Sequence, residues 1–416
     1  MAAAGAALWS RVRSVVMLDR RETRLFLASV TADSFGTGIF TATSVLYFTQ
    51  IRGFDIAAVG LAISLGSLCA FVVGPRIGAL ADRWNPKRLL ITLFIVRALG
   101  YGLYLQAKSY WVFVAIACVV TTADRASPAI NQSLIGLIFD GKDRATLLGT
   151  VFSARNGAVV LGSLAATVPV VTGEPSMYLV GIGINACSFL GSALIIARLP
   201  VPDRPPQVAD RAASKPAAPL RNGRYLLITV VNGVALTHNR ILSLVLPLWI
   251  IQATSSPRWS LTALLALNGA LAMASQIFVN RRFADFSSAL HSSAWGGVAI
   301  AVACVAYAAA GDVSAAWMSF AVLLVAMLAH TAGECLFIAS TPLSFELAER
   351  PALSRYLSFY NLGRVGQDLV GPVLVVAPLL RHGTPLWLLI AVIVLAAGVT
   401  PWLVMRHDPL ATEAVR

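Results

Sequence analysis

About twelve long apolar runs constrain the fold of this chain more than any other feature. An α-helix needs about 20 predominantly apolar residues to cross the hydrocarbon core of a bilayer, and these runs are of that length. Only 12% of the 416 residues are charged, and the mean hydropathy is +0.76. A water-soluble protein of this size needs far more charged surface. The pattern predicts an all-α membrane protein with twelve transmembrane helices.

The apolar runs form two sets of six. The predicted helices cover residues 24–50, 57–80, 88–107, 110–139, 145–172, 176–198, 223–252, 258–281, 289–311, 314–345, 352–380 and 384–405. The stretch between the sets is rich in proline and charge, so we predict a cytoplasmic linker there. The predicted divisions are a cytoplasmic N-terminal segment (1–23), an N-terminal bundle (24–198), the linker (199–222), a C-terminal bundle (223–405) and a cytoplasmic tail (406–416).

The two halves contain similar segments. TADR at 122–125 resembles TAGE at 331–334, and RNGAVVLG at 155–162 resembles RVGQDLVG at 364–371. Both matches share one offset along the chain. Internal repeats of this kind are typical of transporters, in which the substrate site lies near the bilayer midplane between the repeats. We therefore predict two pseudo-symmetric six-helix bundles.

The net charge of +13 is explained by topology. Most Lys and Arg residues fall in the segments that an even number of crossings places on the side of the termini. Because cytoplasmic loops are enriched in Lys and Arg, both termini are predicted to be cytoplasmic, in a multi-pass protein of the cell (cytoplasmic) membrane. The same argument makes a nucleic-acid partner unnecessary. The abundance of Arg and Ala suggests a bacterial source.

Several ionisable residues interrupt the apolar runs. A charged side chain at the centre of a transmembrane helix costs about 2.5–3.5 kcal/mol on insertion scales, so these residues should face the protein interior or water. Counting along the helices puts several of them near mid-membrane. We predict a proton or substrate pathway formed by Asp33, Asp124, Arg125, Arg155 and Glu334.

The sequence allows different pairings of these charges. Arg364 and Asp368 are four residues apart, so they share a helix face and can form an intrahelical pair. Arg155 has no such neighbour, and we expect it to pair with Asp33 or Asp124. Asp33 is our first choice for a proton-carrying group, with Glu334 and Asp124 next, although a permanent ion pair that only fixes helix packing is the alternative. A structural role is favoured for Arg97, Arg240, His238 and His330.

A short loop motif follows the second predicted helix. It reads Gly78-Ala-Leu-Ala-Asp82-Arg83-Trp-Asn-Pro-Lys87-Arg88. This segment resembles the loop signature of the major facilitator superfamily, which shares the six-plus-six plan, and the chain resembles the drug/metabolite-proton antiporters of that superfamily. The resemblance implies the major facilitator fold.

The resemblance also implies roles for the loop. Gly78 would allow close helix packing, and Asp82 would lie at the cytoplasmic start of the eleventh helix, around Ala352 to Arg355. The basic residues Arg83, Lys87 and Arg88 would join Asp140 or Asp143 to latch the inner side shut. Arg125 resembles the arginine of the fourth-helix signature that is linked to proton coupling. The chain departs from the family at Asn85-Pro86, and it lacks the Gly-Pro signature in the fifth helix.

These features predict a secondary active transporter that works by alternating access and exports a drug-like or secondary-metabolite small molecule in exchange for protons. The alternatives are an importer or uniporter of a polar or anionic metabolite and, more remotely, a receptor or scaffold without flux. No nucleophile set, phosphate loop or metal-ligand spacing indicates an enzyme. We expect a monomer in the lipid bilayer with no cofactor and no metal, its five cysteines serving as packing residues.

Overall fold

The computed structural model of the chain describes residues 17–107, 109–201, 218–371, 383–408 and 410. Every long element in these ranges is a helix. The first part contains α1 (Arg21–Leu46), α2 (Ile56–Trp84), α3 (Pro86–Tyr104), α4 (Tyr110–Ile138), α5 (Gly141–Ala165), α6 (Thr167–Thr172) and α7 (Pro175–Ala197). The second part contains α8 (Gly223–Ala235), α9 (Thr237–Arg240), α10 (Leu246–Ala253), α11 (Ser260–Arg282), α12 (Phe286–Asp312), α13 (Ala316–Ala339), α14 (Pro342–Glu346), α15 (Leu353–Tyr360), α16 (Leu362–Gly371) and α17 (Thr384–Met405).

Nine helices in the described ranges are long and apolar enough to cross a membrane, and a bent pair near α8–α10 makes ten. Two further predicted crossings are not among these spans. One is α3, which carries Arg97 in its middle. The other is the predicted helix 352–380, which the structure describes only as far as Gly371.

The chain divides into two compact units. Unit 1 comprises residues 1–140, 146–216 and 349–359. Its core is built from side chains of α1, α3, α4 and α7, among them Phe26, Leu90, Phe113, Ile130 and Phe189, all at most 2% exposed. Leucines and valines on the outward faces of the helices are exposed, as a surface solvated by acyl chains requires.

Unit 2 comprises residues 141–145, 217–348 and 360–416. Its core includes the buried side chains of Tyr307, Met327 and Trp387. The helices α12 and α17 meet at Gly297 and Gly398, where a Cβ atom on Gly297 would lie 2.9 Å from the Cα of Gly398. A side chain at either glycine would force these two helices apart.

The predicted seventh helix is not continuous. The structure divides residues 223–252 into α8, α9, a π-helical turn (Ile241–Val245) and α10. Pro247 lies in the first turn of α10. It lacks an N–H and its ring clashes with the carbonyl four residues earlier, so the regular ladder cannot run through this point. The one-helix prediction is therefore wrong here.

The predicted domain boundaries remain a prediction. Most of the expected linker (199–222) falls at residues 202–217, which lie outside the described residues, as do residues 1–16 and 411–416. The two units also cross the predicted division, because residues 141–145 belong to unit 2 and residues 349–359 to unit 1. Each bundle therefore includes a short piece from the other half of the sequence.

Candidate functional site

A buried cluster of charges lies in unit 1, on three different helices. Arg97 Nη2 on α3 lies 3.0 Å from Asp33 Oδ1 on α1. The Nε of the same arginine forms an ion pair with Asp124 Oδ1 on α4. The Tyr101 hydroxyl donates a hydrogen bond to Asp124 Oδ2 at 3.0 Å. We call these four residues the Arg97 cluster.

The residues of the Arg97 cluster differ in their exposure to solvent. Arg97 is 4% exposed, and its guanidinium stacks on the Phe189 ring, 3.7 Å from the centroid. The side chain of Asp33 is 10% exposed, whereas that of Asp124 is 28% exposed. Because a desolvated guanidinium needs a nearby anion, the two carboxylates share one buried cation, and Asp124 is the more accessible of them.

The structure corrects the expected pairing in this region. Arg155 is exposed, and within the described ranges it forms no ion pair. Asp33 and Asp124 pair instead with Arg97, which the sequence assigned to packing. Arg125 is half-buried and acts electrostatically on Asp124, its neighbour along α4. Counting residues gives depth in the membrane but not the direction in which each side chain points, so it could not decide between Arg97 and Arg155.

A second buried acid lies in unit 2. Glu334 on α13 is 9% exposed, and its Oε2 accepts a hydrogen bond from Asn268 Nδ2 on α11 at 3.1 Å. The same amide nitrogen lies 3.0 Å from Thr331 Oγ1. Arg364 on α16 is exposed and acts electrostatically on Glu334. Glu334 is thus held by a neutral amide, with a cation nearby.

The expected intrahelical pair between Arg364 and Asp368 cannot be compared with the structure. Both residues belong to α16, at the spacing that places them on one face. The side chain of Asp368, however, lies outside the described residues. That pair remains a prediction.

The motif predicted as a loop covers the end of α2 and the start of α3, and its Asp82 binds a helix start within unit 1. Asp82 Oδ1 accepts a hydrogen bond from the Ser354 N–H at 2.7 Å, and Oδ2 accepts one from the Arg355 N–H at 2.9 Å. These are free N–H groups in the first turn of α15, where a carboxylate is favoured. A Cβ on Gly78 would lie 2.7 Å from the Ser354 carbonyl oxygen and 2.2 Å from Ser358 Oγ. Only glycine allows this approach.

One basic residue of the motif, Lys87, has a different partner from the one expected. Lys87 Nζ donates to the Leu199 carbonyl oxygen at 2.7 Å rather than to a carboxylate. Arg83 and Arg88 are exposed. Within the part of the chain that is described, Arg83 forms no ion pair with Asp140. The lysine thus anchors the end of α7, since the carbonyl beyond a helix C-terminus attracts a cation.

Unit 2 contains a buried arginine that the sequence did not single out. Arg144, at the start of α5, is 6% exposed, and its Nη2 lies 2.5 Å from Glu346 Oε1 at the end of α14. Its guanidinium also stacks on Phe345, 4.4 Å from the ring centroid. In the sequence, Arg144 follows Lys142 and Asp143 in a polar segment between apolar runs. Nothing in this local sequence indicates that Arg144 is buried.

A family model and a curated relative match this chain. The model described as Major Facilitator Superfamily matches residues 25–367. The tetracycline resistance protein, class C, of Escherichia coli is 24% identical over 313 residues, which cover 72% of this chain and 76% of that protein.

Two solved structures show the same fold. The human organic anion transporter MFSD10 (TETRAN) has a TM-score of 0.65 at 12% identity, covering 92% of this chain and 99% of that one. The Escherichia coli fucose:proton symporter FucP has a TM-score of 0.67 at 13% identity, covering 91% of this chain and 97% of that one. At such low identity these likenesses establish the architecture alone.

The family match also establishes the class of protein. Its members among the solved structures are transporters rather than enzymes, and their fold has twelve transmembrane helices. The all-helical architecture, the apolar spans and the loop motif agree with it. This chain is a multi-pass membrane transporter that belongs to the major facilitator superfamily.

Proposed function

We propose that this transporter exports a drug-like or secondary-metabolite small molecule in exchange for protons, by alternating access. The observation that carries the proposal is the Arg97 cluster, in which a single buried guanidinium is shared by carboxylates from two other helices. Protonation of one carboxylate leaves Arg97 paired with the other. A proton can therefore bind or leave without depriving the buried Arg97 of its last ion-pair partner.

The arrangement suits coupling because it joins three helices. Asp33, Arg97 and Asp124 lie on α1, α3 and α4. When one acid gains a proton, its attraction to Arg97 falls and the helices that carry the pair can shift. The distant relative that confers tetracycline resistance favours export as the direction. The positive-inside pattern favours cytoplasmic termini.

The exposed arginines favour a second candidate, which is uptake of an anionic metabolite. Arg155 and Arg364, which occupy equivalent places in the repeat, are both exposed. Guanidinium groups bind carboxylates and phosphates through paired hydrogen bonds.

Flux in proteoliposomes tests these proposals. With an imposed pH gradient, export predicts gradient-driven movement of a lipophilic dye, whereas the second candidate predicts uptake of an organic anion. Asp33→Asn should abolish the gradient-driven flux and leave the protein folded, because the amide cannot exchange a proton. Asp312→Asn, at the exposed end of α12, is the matched control and should retain full flux.

Two outcomes would contradict the proposal. Full pH-driven flux in Asp33→Asn would show that this acid carries no proton. Ligand binding without any flux in the unaltered protein would favour a receptor or scaffold.

A further inference from the structure

Two histidines face each other in the interior of unit 2. His238 lies on α9, in the interrupted seventh crossing, and His330 lies on α13. Their ring centroids are 5.4 Å apart, with the planes inclined at 73°. The residues are 2% and 0% exposed, respectively. They are far apart in the sequence, so their spacing along the chain gave no sign of this pair.

Three of their four ring nitrogens are unsatisfied within the described part of the chain. His238 Nδ1 and both nitrogens of His330 are buried and form no hydrogen bond with any described residue. Buried polar atoms in native proteins are nearly always satisfied, and an exception calls for a ligand, an ion or ordered water. Three such atoms on two adjacent rings point to one shared ligand.

The spacing of the rings matches coordination of one metal ion. An imidazole nitrogen binds a zinc-like ion at about 2.0–2.1 Å, which puts each ring centroid about 3.2 Å from the ion. Two rings at a tetrahedral angle then have centroids about 5.2 Å apart, close to the observed 5.4 Å. The χ2 torsion of histidine is soft, so a small rotation aims one nitrogen of each ring at a common point.

The surrounding charges allow a cation there. Arg364 acts electrostatically on His238, which opposes a metal ion, but it also acts on Glu334. Glu334 lies one turn beyond His330 on the same face of α13, where its carboxylate offsets positive charge. Tyr307 packs against His330 and directs its hydroxyl to Met327 Sδ, so that hydroxyl does not occupy the ring nitrogens.

We propose that His238 and His330 form a binding site for a first-row divalent transition-metal ion such as Zn²⁺ or Co²⁺. Neutral imidazole is a preferred ligand of these ions. The described residues contain no cluster of three His, Cys, Asp or Glu at metal-ligand spacing. The two imidazoles therefore supply two ligands and leave the remaining positions to water. The site is distinct from the Arg97 cluster and does not depend on the proposed transport cycle.

The test is binding of Co²⁺ to the full-length protein in detergent, purified without a histidine tag. We expect one Co²⁺ per chain, seen by its visible absorption and displaced by Zn²⁺. His238→Asn and His330→Asn should each weaken binding at least about tenfold, because each removes one of two protein ligands. His291→Asn is the matched control, since His291 is exposed and contacts Trp402, and it should bind as the unaltered protein does.

A further variant covers the risk of misfolding. His330→Cys keeps a metal ligand and should retain Co²⁺ with a new thiolate charge-transfer band. Saturating Zn²⁺ should also raise the Tm of the unaltered protein, because it binds only the folded state. The proposal is overturned if the unaltered protein binds no Co²⁺ and its Tm is unmoved by Zn²⁺. It is equally overturned if both His→Asn variants bind Co²⁺ as the unaltered protein does.

Discussion

Among single residues, Arg97 contributes most to holding the candidate site together. It is one of the most deeply buried charged side chains in the described ranges, and its two ion pairs join three helices. Removing one partner of a buried ion pair costs about 3–5 kcal/mol, because the remaining charge is left without compensation. Arg155 carries the same charge in an exposed place.

Arg97→Gln should therefore destabilise the protein by about 3–5 kcal/mol, since it leaves Asp33 and Asp124 facing each other without a cation. Thermal unfolding in detergent measures this effect as a lowered Tm. Arg155→Gln is the matched control and should change the Tm little. Equal losses in the two variants would show that Arg97 does not hold the cluster together.

The sequence predicted the buried acids better than their partners. Asp33, Asp124 and Glu334 stand out because carboxylates are rare in apolar runs. The partner of Asp33 depended on the rotation of each helix about its axis, which a stretch apolar on nearly all sides leaves undetermined. Arg97 and Arg155 were both deep enough, and only packing distinguishes them. Arg144 carried no signal at all.

At the scale of elements, the helices were predictable wherever the apolar run was uninterrupted. The predicted run 289–311 is observed as α12 with small shifts at its ends, and the predicted run 384–405 coincides with α17. The prediction of one regular helix failed where a proline interrupts the hydrogen-bond ladder, at Pro247 in the predicted helix 223–252. In a membrane an apolar run through a proline still reads as one crossing.

The start of α12 has a carboxylate cap. Asp285 Oδ1 accepts from the Ser288 N–H at 2.9 Å, and Oδ2 accepts from Ser288 Oγ at 2.7 Å. Partial burial raises the pKa of Asp285, whereas these hydrogen bonds lower the pKa by a larger amount. The pKa of Asp285 therefore lies below its ordinary value. A depressed pKa means that the stabilisation is complete above the unfolded pKa of about 3.9 and is lost as the pH falls below it.

Asp285→Ala should lower the free energy of unfolding at pH 7 by about 0.5–1 kcal/mol, the lower part of the range for an N-cap, since the residue is exposed. The difference from the unaltered protein should shrink below about pH 4, where the carboxylate is protonated. Unfolding curves at the two pH values measure it. Asp312→Ala, at the opposite end of the same helix, should not destabilise, because an acid is unfavourable there. A pH-independent loss at Asp285 would contradict the cap.

At the scale of the whole molecule, the two compact units do not coincide with the two halves of the sequence. Residues 349–359 belong to unit 1, and Asp82 binds the start of the helix within that segment. Residues 141–145 belong to unit 2, where Arg144 pairs with Glu346. The repeat in the sequence predicted two bundles. It did not predict that these two short segments belong to the unit formed mainly by the other half of the chain.

Asp82→Asn should release the segment 349–359 from unit 1 and bias the carrier towards the inward-facing state. Hydrogen bonds to a charged acceptor are worth about 1.5–3 kcal/mol, so amide exchange at Ser354 and Arg355 should accelerate at least about tenfold. Labelling from the cytoplasmic side of cysteines placed in the pathway should increase as well. Asp312→Asn serves as the control, and unchanged exchange and labelling would refute the latch.

The shared guanidinium limits how much charge the Arg97 cluster can give up in one turnover. Arg97 stays ionised at physiological pH and is only 4% exposed, so at least one of Asp33 and Asp124 must remain an anion while Arg97 is buried as in this structure. Under the proposed exchange, the stoichiometric ceiling at this cluster is a single H⁺ per molecule exported, and any larger ratio must draw on acids elsewhere in the protein.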